Sequence, residues 1–320
     1  SACDPVVVTP DPLAPGPALR AKGFVGGADV EVGQGGWCWF QSPRASFGPD
    51  GVLWLGTSIA HTGTDVDGTV QATAFDTRAG TIVSQRTLAK TQQDDHTSAS
   101  VLALGSKVQI AWALHKNVDY LDVGDVAPNG PFVVRRIRRP ASLTLPGRGM
   151  AYASAHVVAG QRWLLYRGEQ FSWNLLTSPD GVAWTARGLV VAPGSAGDRP
   201  YLHAASDGKR LHIVVTDSNP AEYRGTSVYA GTIEADLSVR RPGGALAGTV
   251  GSKVPAPKHL TRIAVGVPGA DEATDTDHWL SDLKVVDGRP TGVLTVRDAW
   301  APGDAPVASY RHRYLWMRQR

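Results

Sequence analysis

The sequence predicts an all-β fold, a seven-bladed β-propeller built from four-stranded antiparallel blades. Three observations predict it: turn-forming residues are dense, hairpin patterns recur along the whole chain, and no stretch shows helical periodicity. The 320 residues include 36 Gly and 22 Pro but only 2 Met, and 10 are Trp. Glycine and proline at that density punctuate many short turns, while tryptophan supplies large packing units between sheets. Hydrophobic residues make up 42% of the chain, enough to bury a sizeable core and to exclude a disordered protein. A chain of this length accommodates two ordinary domains or one large all-β domain, and the even hairpin pattern favours a single domain over residues 1–320. A β-sandwich is the competing architecture, and hairpins spaced evenly to the end of the chain argue against it.

Residues 1–22 read as an irregular N-terminal arm. Ser1-Ala2-Cys3-Asp4, followed by the proline-rich residues 10–17, resembles a mature terminus left after cleavage, so a secreted protein is expected. Cys3 and Cys38 are expected to pair and pin the arm to the first sheet, as suits an exported protein; the alternative is one buried free cysteine and one exposed thiol. No apolar run approaches the roughly 20 residues that span a bilayer, so no membrane partner is expected. The first strand pattern, residues 51–56, follows the turn Pro49-Asp50. Residues 101–104 lead through Gly105-Ser106-Lys107 into 108–112, residues 156–159 turn at Gly160 into 162–166, and residues 202–205 turn at Asp207-Gly208-Lys209 into 211–215. Each is a hairpin signal. Their interval of roughly 45 residues matches four strands per blade and leads to the count of seven. The run Arg135-Arg136-Ile137-Arg138-Arg139 reads as a solvated strand edge. Ser178-Pro179-Asp180-Gly181-Val182-Ala183-Trp184 resembles the Asp-box of sialidase-type propellers, in which Ser and Asp cap a turn and Trp packs between blades. The pattern ends at Tyr314-Leu315-Trp316, expected to complete the first blade and close the ring.

The net charge of +3 excludes neither nucleic acid nor an acidic glycan, but aromatic residues do not interleave with basic ones as a nucleic-acid platform requires. With nine histidines, each can be weighed singly. His96 stands in Asp94-Asp95-His96-Thr97-Ser98 at the entry to a hairpin, and His115 follows the returning strand 108–114. Chain reversal brings both to one face of the ring, close together. That proximity alone does not require catalysis.

Gly35-Gly36-Trp37-Cys38-Trp39-Phe40-Gln41-Ser42-Pro43-Arg44, Asp94-Asp95-His96 and His115 resemble landmarks of BNR-type seven-bladed propeller polysaccharide lyases, the ulvan lyase and rhamnose–glucuronate lyase group. Ala151-Tyr152-Ala153, Leu165-Tyr166-Arg167-Gly168 and Asp198-Arg199-Pro200-Tyr201-Leu202 follow in that family's order. So do Ala205-Ser206-Asp207-Gly208-Lys209, Thr216-Asp217-Ser218-Asn219-Pro220 and Tyr310-Arg311-His312-Arg313-Tyr314. The similarity covers roughly residues 35–316. Thr97 departs from the pattern, which has Asn after the first histidine.

The resemblance implies β-elimination at a rhamnosyl–glucuronate linkage of an acidic polysaccharide such as ulvan or arabinogalactan, by a secreted monomer that needs no cofactor. Elimination requires a neutralised uronate carboxylate, a base for the C5 proton and an acid for the leaving O4. By motif position Arg167 takes the carboxylate, His96 and Tyr152 form the acid/base pair, and His115 is a second carboxylate contact or an alternative base. Tyr201, Arg44 and His312 are the substrate-binding candidates. Tyr152 and Tyr201 also read as packing aromatics, and Arg167 and Arg44 as structural ion pairs. Trp37 and Trp39 read as blade packing. His203 and His212 with Cys38 suggest zinc only weakly, lacking short ligand spacing, and a structural Ca²⁺ or Zn²⁺ would leave little trace in sequence. The competing functions are an Asp-box glycoside hydrolase, for which Asp94, Asp95 and Asp217 are the available acids, and a non-catalytic glycan-binding propeller.

Overall fold

The computed structural model describes residues 38, 40–48, 51–59, 63, 65–97, 99–105, 107–115, 118–126, 133–138, 149–269, 275–298 and 311–318. The expected N-terminal arm, Cys3 with its pairing, Trp37 and Trp39 lie outside them.

Among these residues the chain forms five antiparallel sheets in sequence order. The first holds β1 (Ala45–Phe47), β2 (Val52–Ser58), β3 (Thr69–Asp76) and β4 (Thr81–Lys90). The second holds β5 (Ser100–Leu104), β6 (Lys107–Ala113), β7 (Tyr120–Val126) and β8 (Val133–Arg138), and the third β9 (Ala151–Val158), β10 (Gln161–Arg167), β11 (Trp173–Ser178) and β12 (Thr185–Val191). The fourth runs through β13 (Leu202–Ser206), β14 (Arg210–Thr216), β15 (Val228–Glu234), β16 (Ser238–Arg240) and β17 (Leu246–Thr249), with β18 (Thr261–Ala264) also on β15. The fifth holds β19 (Thr276–Val286), β20 (Arg289–Asp298) and β21 (Arg311–Arg318). The first strand of each sheet packs on the first strand of the next, from β1 through β5, β9 and β13 to β19. This is an all-β propeller.

Among the described residues it has five blades, and the expected seven is corrected. Successive first strands begin at Ala45, Ser100, Ala151, Leu202 and Thr276, so the repeat is longer than the 45-residue interval read from the hairpins. The outer strands account for the difference. β4 and β8 are mostly exposed and bury no residue, so they present no core-facing pattern, yet each lengthens its own repeat. The fourth blade adds β16, β17 and β18. The expected closure is also corrected: β21 pairs with β20 in its own sheet, Asp298 opposite Arg311 and Thr291 opposite Arg318.

The cores lie between neighbouring sheets. Trp54 and Trp112 are buried together with Val70, Val101 and Ile110 between the first and second. Tyr166, Leu164 and Ala155 join Leu121 and Val123 between the second and third, and Trp184 packs against them. The largest cluster gathers Trp163, Trp173, Tyr152, Tyr201, Phe40, Cys38 and Trp279. The blades are stitched by backbone as well, with Val101 N–H of the second donating to Pro43 O of the first at 2.8 Å. A side chain at Gly56 would meet the Ala99 carbonyl at 2.2 Å, so only glycine lets the second blade approach this closely.

Aspartates shape the turns at the end of the molecule away from the strand entries. In the Ser178–Trp184 segment, Asp180 Oδ1 accepts from Val182 N–H at 2.8 Å and Ala183 N–H at 3.0 Å, and Ser178 Oγ accepts from Gly181 N–H at 2.8 Å. Asp76 and Asp207 cap the β3–β4 and β13–β14 turns in the same way. The arginine run behaves as expected: β8 is an outer strand, and Arg136 pairs with Asp122 at 2.9 Å. Among the described residues no helix is long and apolar enough to cross a membrane.

Candidate active site

Strand direction alternates within each blade, so the entries of β5, β9 and β13 and the exits of β6, β10 and β14 meet at one face. The short 3-10 turn Asp95–Thr97 leads into β5, and His115 follows β6. One carboxylate joins them. Asp94 Oδ1 accepts from His96 Nδ1 at 2.5 Å and from His96 N–H at 2.8 Å, while Oδ2 accepts from His115 Nδ1 at 2.8 Å. The two imidazoles stack at 4.0 Å between centroids and 14° between planes. Gln92 Oε1 accepts from His115 N–H at 2.7 Å, and Gln41 Nε2 donates to the His96 carbonyl. The expected proximity of the two histidines therefore holds, with Asp94 as its cause.

These bonds set the charges. Burial opposes ionisation of Asp94, but hydrogen bonds from His115 and His96 outweigh it and hold the carboxyl well below the usual range. Burial likewise opposes a charge on His96, and its hydrogen bonds to Asp94 and Cys38 overcome it, pushing its pKa up to about 10. Asp94 brings one negative charge to two stacked rings, so one imidazolium beside one neutral imidazole is the arrangement of least cost.

Tyr152 sits beside the pair, with ring centroids 5.6 Å from His96 and 6.1 Å from His115. A β-bulge aims it there. Ala151 opposes Arg167 and Ser154 opposes Leu165, leaving Tyr152 and Ala153 across from Tyr166 alone. Tyr152 takes a φ of 56°, a left-handed conformation that a bulky residue adopts only when its surroundings impose it. Its side chain is buried, and its hydroxyl has no hydrogen-bond partner among the described residues. Burial pushes that hydroxyl's pKa well above 10, although Arg167 pulls the other way. Tyr152 is thus a proton donor at neutral pH.

Arg167 ends β10 and is 7% exposed. Its guanidinium carbon lies 4.4 Å from the ring centres of both Tyr152 and Tyr201. Among the described residues no carboxylate pairs with it, and its Nη1 meets no acceptor. A buried cation without a counter-ion is costly to fold around, which marks it as a place for an external anion. Tyr201 is held by stacking on Phe40 at 3.7 Å and by an edge contact with Tyr152 at 5.7 Å.

His96, His115, Tyr152, Arg167 and Tyr201 are thus brought together. The remaining two candidates belong to the first and last sheets. Arg44 is half-buried on a cavity of about 400 Å³ between the first and last sheets, with Asp282 and Lys284 in the same wall. Burial lowers its pKa, opposed by Cys38 and Asp282. His312 lies on β21 with its ring edge-on to Trp279 at 5.8 Å, and burial and Arg297 lower its pKa.

The zinc grouping of Cys38, His203 and His212 does not assemble. His203 bonds Ser42 at 3.0 Å, whereas His212 bonds Asp207 at 3.1 Å. Asp94, His96 and His115 do gather, their ligand atoms within 4.8 Å of one another. Their arrangement suits hydrogen bonding better than a metal. Lone pairs in two nearly parallel ring planes do not converge on a common point, so chelation would require one ring to leave the stack.

Sequence reasoning did not place Gln92, Gln41 or Phe40 in the site, and it named Asp94 only as an acid for hydrolysis and Cys38 only as a weak zinc ligand. Asp94 carried a local signal, since an Asp two residues before another residue commonly accepts that residue's backbone N–H. Gln92 carried none.

No protein-family model matches the chain, and no curated protein matches it in sequence. Among solved structures it is similar to an ulvan lyase of polysaccharide lyase family PL25 bound to -[GlcA(1-4)Rha3S]-. The TM-score is 0.62 at 11% identity, covering 91% of this chain and 73% of that one. The PL25 ulvan lyase described without that ligand gives 0.62 at 12% identity with the same coverage. Polysaccharide lyase Uly1 gives 0.51 at 10% identity over 94% of this chain and 74% of that one. At such identities the likeness is one of fold, an all-β propeller.

Proposed function

We propose that the protein is a polysaccharide lyase that cleaves a rhamnosyl-(1→4)-glucuronate linkage by β-elimination and leaves an unsaturated uronate. One observation carries this reading: a buried guanidinium that no carboxylate pairs with among the described residues, framed by two tyrosines and separated from a histidine pair by one of them. Each part answers a requirement of the reaction. Arg167 takes the uronate carboxylate in a bidentate grip and removes the charge that would otherwise suppress C5 acidity. The imidazole left neutral by the shared carboxylate accepts the C5 proton, and the imidazolium beside it stabilises the developing enolate. The buried Tyr152 hydroxyl, held in its neutral form, donates to the departing O4. The likeness in fold to an ulvan lyase supports the reading, because that protein was bound to a glucuronate–rhamnose sulfate chain. An acidic polysaccharide as substrate agrees with an exported enzyme.

A hydrolase is less well served by these residues. Both oxygens of Asp94 are committed to histidines, and its carboxyl is held ionised, so it does not act as the general acid that glycoside hydrolysis needs. Incubation with ulvan, gum arabic and other uronate glycans tests the reading directly. Ultraviolet absorbance from an unsaturated uronate is expected, and H96A should abolish it while leaving the circular dichroism spectrum intact. New reducing ends without that absorbance would establish hydrolysis instead, and binding without any product would establish a non-catalytic module.

A further inference from the structure

Beside Arg167, the turn between β10 and β11 holds two consecutive non-glycine residues in the left-handed region, Gln170 at φ 47° and Phe171 at φ 63°. Side chains adopt that backbone only when something fixes them there, and such segments cluster at ligand clamps. Its effect is to set the Phe171 ring between two cations. The guanidinium carbon of Arg167 lies 5.5 Å from the ring centre and that of Arg199 lies 4.7 Å from it, so the two charges are at most about 10 Å apart. That span corresponds to one or two sugar residues of an extended polysaccharide.

The two arginines differ in access. Arg167 is buried, whereas the Arg199 side chain is 30% exposed. Arg199 stands two positions before Tyr201 in the loop that enters β13, on the same face as the histidines. Its Nη1 donates to Glu222 Oε1 at 2.5 Å, and Glu222 is 43% exposed on the loop between β14 and β15. Its Nε is buried and meets no acceptor among the described residues. A guanidinium presents its donors as a planar fork that matches an oxyanion, and here Glu222 takes Nη1 while Nε is left without an acceptor among the described residues. An exposed ion pair of this kind holds its partners weakly and yields to a competing anion.

We infer that Arg199 binds a second anionic group of the substrate, a carboxylate or a sulfate ester on a sugar near the uronate held by Arg167, and that Glu222 occupies this position when no substrate is bound. The inference rests on the elimination reading above and adds a specificity determinant to it. Phe171 forms the shared floor, and Glu222 acts as an internal competitor.

The two partners therefore predict opposite effects. Binding of ulvan and of chemically desulfated ulvan is to be measured at equilibrium for the wild type, R199Q and E222Q, with elimination followed in parallel. R199Q should weaken binding about tenfold, the scale of one lost charge-assisted hydrogen bond. E222Q should tighten binding and lower KM. A loss in R199Q confined to the sulfated polymer assigns the group as a sulfate ester; an equal loss on both polymers assigns it as a second carboxylate. Unchanged affinity in both variants while elimination proceeds would overturn the inference and leave the lyase reading standing. Opposite shifts in a protein without elimination would leave the anion site standing and remove the lyase reading. Should R199Q fold poorly by circular dichroism, E222Q decides alone, since an idle surface pair gives no tightening.

Discussion

Arg167 separates structural from functional charge within one residue. A structural cation stabilises the fold through its counter-ion, so its removal unfolds the protein; a cation kept ready for an external anion does the opposite. Arg167→Met is expected to leave the melting temperature unchanged or higher, because an uncompensated buried charge is removed, while kcat/KM for elimination falls by roughly 10²–10³. A drop in stability comparable to the drop in activity would contradict this. Asp94 makes a second test. The pKa of His96 is raised above its ordinary 6.5 to about 10, so that group's contribution to stability is full below pH 6.5 and disappears as the pH rises through 10. The carboxyl of Asp94 is depressed from 3.8, so its contribution is present above pH 3.8 and is lost as the pH falls below that value. Denaturant titrations should therefore show the gap between wild type and Asp94→Asn widest at pH 4 to 6.5 and closing toward pH 10. Imidazole NMR should find His96 losing its proton nearer 6.5 in the variant. The histidine pair was legible in the sequence because a hairpin returns to its own edge. Its binding to one carboxylate was not, since that depends on the 3-10 turn at Asp95–Thr97, nor was the aim of Tyr152, which depends on a bulge no residue type announces.

Among the elements, the hairpins 101–112, 156–166 and 202–215 were readable because their inner strands carry buried apolar runs, as Trp163–Tyr166 of β10 illustrates. The outer strands were not: β4 and β8 alternate only between exposed and half-buried positions and bury no residue, so they present no core-facing run. Counting blades from apolar hairpins therefore shortened the repeat and inflated the number. Contact between elements also reaches the chemistry. The Ala99 carbonyl occupies the space a side chain at Gly56 would need, and Ala99 lies three residues after His96. Gly56→Ala is expected to push the β5 entry outward, lowering stability by about 1–3 kcal/mol and elimination by more than stability alone explains. Equilibrium unfolding together with kcat at a temperature where the variant is fully folded checks this. Wild-type kcat in the folded variant would show that the contact serves packing only.

Across the whole molecule, the two faces of the propeller divide the labour. Asp94, His96, His115, Tyr152, Arg167 and Tyr201 occupy strand entries and exits on one side, while the turns capped by Asp76, Asp180 and Asp207 occupy the other. Short insertions should follow that division. Five added residues at Gly208 should leave elimination near the wild-type rate, whereas the same insertion at Gly197, in the loop carrying Arg199, should impair it; equal losses at both positions would refute the division. The capped turns consequently offer a handle for surface chemistry. A cysteine introduced at Lys209 would anchor the protein to a gold or resin support in a single orientation, with its reactive face turned to the liquid and open to long polymers that could not reach it in a randomly immobilised layer.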